Sequence, residues 1–245
     1  MESSNPVLAR ALRHGEHYLT GERMSVSGTV NKTGLLLAIA SATAAYPWSL
    51  LTEARMAELN TIMWGGMIGG LILAFATIFK PTWAFWSAPA YAACQGLALG
   101  SISAVMNQAY PGIAFEALAG TFGTLAVMLT LYRTGVIKAT KSFRAGVLAA
   151  TGGVAVIYLV SIAFQWFGIS MSFMTGSGIT GIVFSLAVVC IAALNLVLDF
   201  DLIDRGSREG APKHMEWYGA FGLMITMVWL YVEMLRLLSK LRGRS

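Results

Sequence analysis

The sequence predicts an all-α integral membrane protein with seven transmembrane helices. Three observations carry that expectation. Of the 245 residues, 56% are hydrophobic and only 12% are charged, about half the share of charge in a soluble domain. The mean hydropathy is +0.66. Seven apolar runs are long enough to be spans, against the ~20 helical residues needed to cross a hydrocarbon core.

Residues 1–33 form a polar tail, with a short helix expected around residues 6–12. The tail holds His14 and His17 and has no apolar core of a signal peptide. The first hydrophobic helix would then serve as the insertion signal. The transmembrane domain is expected over 34–245, with spans at 34–51, 61–79, 83–106, 113–132, 145–168, 178–200 and 217–238. No water satisfies backbone groups in lipid, so each run must be helical.

The connections are short, and their charge is uneven. Lys80 marks the second turn, Arg133, Lys138, Lys141 and Arg144 the 133–144 loop, and Arg205, Arg208 and Lys213 the 201–216 loop. The positive-inside rule places these and the N-terminus in the cytoplasm. A seventh span then leaves Lys240, Arg242 and Arg244 outside, against the rule. Re-entry of the last helix would remove the conflict, but its length favours spanning. The net charge of +5 is read as an orientation signal, so no nucleic-acid partner is expected. The sequon Asn31-Lys32-Thr33 falls on the cytoplasmic side, where it is not used.

Small residues recur at helical spacing, as in Gly65, Gly66, Gly69 and Gly70, and again in Gly96 and Gly100. Such spacing lets helix backbones approach closely. Trp48, Trp83, Trp166 and Trp217 stand near helix ends as interface anchors. Cys94 and Cys190 lie inside apolar runs and imply no disulfide framework.

Enzymatic signatures are absent. There is no zinc-binding His-Glu-x-x-His, no phosphate-binding loop, and no His inside a span to activate Ser177 in its Gly-Ser-Gly turn. The protein is expected not to be an enzyme and to hold no cofactor or resident metal.

Attention therefore falls on carboxylates near the membrane. Asp201 and Arg205 are four residues apart, as are Asp204 and Arg208, and on a continuing helix these are favourable pairs. Asp199 differs. Its neighbours at helical spacing are Asn195, Leu196, Leu202 and Ile203, so it has no local cation. It must find a partner on another helix, sit in water or keep its proton. Glu116 lies in the first turn of the fourth helix, where the helix dipole favours a carboxylate; the functional alternative is an ion- or proton-sensing site at the outer mouth of a pathway. Glu233 has Arg236 three residues on, and either a local ion pair or a site facing a lumen fits it.

Several stretches together resemble the Bax inhibitor-1/YccA-like family, in its bacterial branch with an extended N-terminal tail. They are Ser4-Asn5-Pro6-Val7-Leu8, residues 26–36 (VSGTVNKTGLL), Phe115-Glu116-Ala117-Leu118-Ala119-Gly120-Thr121-Phe122, the sixth-helix end at Asp199, and the last helix from Met215-Glu216-Trp217 to Leu235-Arg236-Leu237-Leu238. The resemblance implies seven helices with the last one central and surrounded by the other six. It implies a bacterial inner-membrane protein with a pH-sensitive calcium leak, in which calcium is at most a permeant ion. Asp199 matches the family's sixth-helix aspartate, Glu116 its fourth-helix glutamate, and Lys80 stands nearest to its basic latch. Thr226 occupies the expected place of the seventh-helix acid, with Glu233 two turns further on. The expected function is a cation leak channel or sensor titrated at Asp199, which protonation releases from Lys80. The alternative is a non-conducting regulator that binds a membrane protease or another integral membrane protein.

Overall fold

A computed structural model describes residues 22–52, 55–167, 176 and 178–243. The tail helix expected around residues 6–12, His14, His17 and Ser177 lie outside the described residues, as does most of the 168–176 loop.

Seven long helices follow one another: α1 (Val26–Thr52), α2 (Met56–Phe79), α3 (Ala84–Ala109), α4 (Ile113–Arg133), α5 (Lys141–Trp166), α6 (Ile179–Arg208) and α7 (Met215–Arg242). A one-turn 3-10 helix, Pro81–Trp83, joins α2 to α3. No strand occurs among the described residues. Among them, six helices are long and apolar enough to cross a membrane, all except α3. The composition of α3 explains the exception. Its sequence includes Ser87, Gln95, Ser101, Ser103 and Asn107, and Ser87, Ser101 and Ser103 are buried. It packs against α1, α2, α4 and α7, so protein rather than lipid covers its polar side chains.

Most helices run past their apolar segments. α1 begins at Val26, inside the expected tail, and α6 continues to Arg208 rather than ending at residue 200. Charge that is paired does not end a helix.

α7 is half buried along its most apolar window, more than any other candidate span. It packs on α1, α3, α4 and α6, and Tyr158 of α5 bonds to its Glu233. α2 lies further out, packed mainly on α3 and α1, so the last helix is not enclosed by all six of the others as the resemblance implied. One face of it exposes Trp64, Ile68, Leu71, Ile72 and Phe75, as a lipid-facing surface does.

The small residues act at the α1–α3 and α2–α3 contacts. A Cβ at Gly96 would meet the Ala40 carbonyl oxygen and Thr43, and one at Gly100 would lie 2.7 Å from the Ala44 Cα. On α2, Gly66 and Gly70 face Cys94, Ala98 and Gln95, whereas a Cβ at Gly65 would meet nothing. Cys94 and Cys190 are free thiols. Of the aromatic anchors, Trp48, Trp83 and Trp166 are exposed at helix ends, while Trp217 packs edge-on against Phe85.

Candidate functional site

Asp199 points from α6 toward α7. Its neighbours there are Gly222, where a Cβ would stand 3.9 Å from Oδ1, and Thr226, whose hydroxyl donates to the Gly222 carbonyl at 3.4 Å. Its Oδ2 is buried and has no partner. The Asn195 amide one turn away donates instead to Thr151 Oγ1 at 2.8 Å and to the Ile191 carbonyl at 2.9 Å. A carboxyl oxygen buried without a donor is a large penalty for a charged group, so the position carries a specific demand.

The other residues singled out from sequence are distributed differently. Asp201 binds Arg205 on its own helix and Arg144 at the start of α5, each at 2.7 Å. Asp204 pairs with Arg208 at 2.8 Å. Lys80 is exposed and holds its ammonium 4.3 Å from the centre of the Trp83 ring. The structure does not bring Lys80 to Asp199. Lys80 ends α2, and the adjacent Trp83 ring attracts the cation where it stands.

Glu233 is almost fully buried and bonds to Arg236 at 2.9 and 3.0 Å, with the Tyr158 hydroxyl donating to it at 2.8 Å. It lies seven residues beyond Thr226, roughly 10 Å along the helix axis, and pairs toward α5 rather than meeting Asp199. Glu116 binds Arg242, whose guanidinium also donates to the Pro111 carbonyl at 2.7 Å.

Two buried charges escaped the sequence reading. Glu216, in the first turn of α7, is fully buried. It pairs with Lys32 and accepts hydrogen bonds from the Ser25 amide at 2.9 Å and hydroxyl at 2.8 Å. Lys213 stands 3.5 Å away. Gly28 leaves room for the carboxylate, since a Cβ there would collide with it. Lys32 was the available signal: a cation next to an apolar run needs a partner or an interface. The second is Lys240, 5% exposed, which donates to Ser185 Oγ at 2.9 Å and the Gly181 carbonyl at 3.1 Å.

Together these groups form a polar seam along the central helix. Glu216, Thr226, Glu233 and Lys240 are all buried, and the last three are seven residues apart, two helical turns, on nearly one face. Polar groups placed this way inside a bundle mark ion or proton pathways, or bind helices to one another. No cluster of three or more metal-ligating side chains occurs among the described residues. Where a second acid would complete a divalent site beside Asp199, the chain has Thr226.

The bundle and its seam define a multi-pass helical membrane protein with buried ionisable groups on its central helix. Residues 5–243 match the family profile described as Bax inhibitor 1 like, and the chain belongs to that family. A comparison with individually curated proteins finds no match.

Proposed function

We propose that this is a non-enzymatic, seven-span protein of a bacterial inner membrane that leaks or senses cations, calcium among them, with Asp199 as the titrating group. The observation that carries the proposal is the buried Asp199 carboxyl set against Gly222 and Thr226 of α7, with its Oδ2 unpartnered. A charged Asp199 attracts a cation to this place; protonation removes the attraction. In vesicles reconstituted with purified protein, Asp199→Asn changes calcium flux and abolishes its dependence on pH. Flux and pH response equal to those of the wild type would overturn the proposal.

Thr226 favours a second reading. One carboxylate offers a divalent cation fewer oxygen ligands than the six to eight that calcium takes. A non-conducting regulator that holds a membrane protease or another integral partner needs no such site. In that case wild-type vesicles show no flux, and a partner co-purifies with the full chain but not with one lacking residues 1–21. The deletion stops short of Glu22 because Ser25 and Lys32 anchor Glu216.

The orientation proposed is N-terminus in the cytoplasm, with α3 and α7 both spanning. Of the cations that oppose it, Lys240 is held by Ser185 and Arg242 by Glu116, while Arg244 lies outside the described residues. A reporter fused after Ser245 is expected to be active only outside the cytoplasm, and cytoplasmic activity would refute a spanning α7.

A further inference from the structure

At the end of the bundle where α7 starts, α1 and α4 stand apart with α6 behind them. The cleft between them has a volume of about 1120 Å³, at or beyond the upper end of the roughly 300–1,000 Å³ usual for small-molecule pockets. Its lining is divided. The rim holds four cations, Arg133, Lys138, Arg205 and Arg208, against two carboxylates, Asp201 and Asp204. The carboxylates are taken by Arg144, Arg205 and Arg208. Arg133 and Lys138, both exposed, stand outside those pairs. Below the rim the walls are apolar, with Val30, Leu37, Leu125 and Leu129.

The wall formed by α1 runs from Val26 to Leu37, roughly 16 Å at the rise of an α-helix. That is about half of the ~30 Å hydrocarbon core, the depth of one leaflet. Val30 and Leu129, on its two sides, are apolar and exposed.

We infer that this cleft binds an anionic phospholipid of the adjacent leaflet, with its phosphate headgroup at Arg133 and Lys138 and an acyl chain between α1 and α4. Charge selects the occupant. A zwitterionic lipid gains little from a rim with excess positive charge, whereas a basic pocket between membrane helices suits an anionic headgroup. The same rim repels divalent cations, so the cleft is not the entrance for a cation bound at Asp199. The inference is independent of whether the protein conducts.

Native mass spectrometry of the purified full-length chain tests it, with phosphatidylglycerol or phosphatidylcholine added to the micelles. The wild type retains phosphatidylglycerol in preference to phosphatidylcholine. Replacing Arg133 and Lys138 together by glutamine lowers that affinity roughly thirtyfold, the expected loss for two surface cations. Gly34→Phe fills the apolar part of the cleft and also reduces retention; a Cβ at Gly34 meets no atom within 4 Å, so the backbone need not shift. Equal retention of the two lipids, or retention unchanged in both variants, overturns the inference. Displacement of the lipid by millimolar inorganic phosphate would assign the rim to free phosphate and overturn it as well.

Discussion

Gly96→Ala lowers the unfolding midpoint by several degrees, because the added methyl group has no place to go. It would fall on the Ala40 backbone of α1 and on the Thr43 hydroxyl, and backbone gives way less readily than the end of a flexible side chain. Overpacking of this kind costs about 1–3 kcal/mol, with the upper end expected here. For a chain of this size each 1 kcal/mol shifts the midpoint by roughly 2–4 °C. Gly100→Leu is more severe, since α1 and α3 must separate along the Ala40–Ala44 contact. Gly65→Ala is the control. Its Cβ meets nothing, and alanine is the better helix former by up to about 1 kcal/mol. Thermal unfolding in detergent compares the three variants. Equal midpoints for Gly96→Ala and Gly65→Ala would show that the α1–α3 contact does not depend on its glycines.

The second large effect belongs to the Lys32–Glu216 pair. Removing one member of a buried pair typically destabilises by about 3–5 kcal/mol, because the other charge is left uncompensated. Glu216 has no exposed side-chain surface and Lys32 retains 18%. Lys32→Ala therefore strands a buried carboxylate that keeps only the Ser25 donors and the more distant Lys213. The expected loss is about 3 kcal/mol, the lower end of that range. Removing both charges, Lys32→Ala with Glu216→Ala, is less damaging than the sum of the single changes. A double-mutant cycle measured by unfolding reads the difference. Strict additivity would mean that the two residues do not act as a pair.

Run length in the sequence located all seven helices, because an apolar stretch bounded by short polar turns has few other solutions in lipid. The helix ends were less legible. α1 starts eight residues before its expected beginning, and α6 ends eight after, since Glu216 compensates Lys32, and Arg144, Arg205 and Arg208 compensate Asp201 and Asp204. Hydropathy counts such residues as breaks without knowing their partners. The facing of Asp199 and Thr226 came from the family resemblance, which sets the sixth-helix aspartate against that position of the last helix. The Glu216 site was not legible, because Lys32 lies 184 residues away in sequence and no local pattern joins the two. Lys80 is the converse case. It stands at a helix end as sequence suggested, but a neighbouring aromatic ring holds it.

The polar seam of α7 also bears on the order of assembly. Its partners come from nearly every earlier segment: Ser25 and Lys32, Ser103 through Tyr231, Glu116, Tyr158, Ser185 and Asp199. Chains are made from the N-terminus, so these groups enter the bilayer before the helix that satisfies them exists. Until then Lys32 lacks its carboxylate, and the surfaces that later enclose α7 have nothing between them. Closure of the bundle therefore waits for α7, and a chain stopped before residue 215 lacks the helix on which α1, α3, α4 and α6 pack.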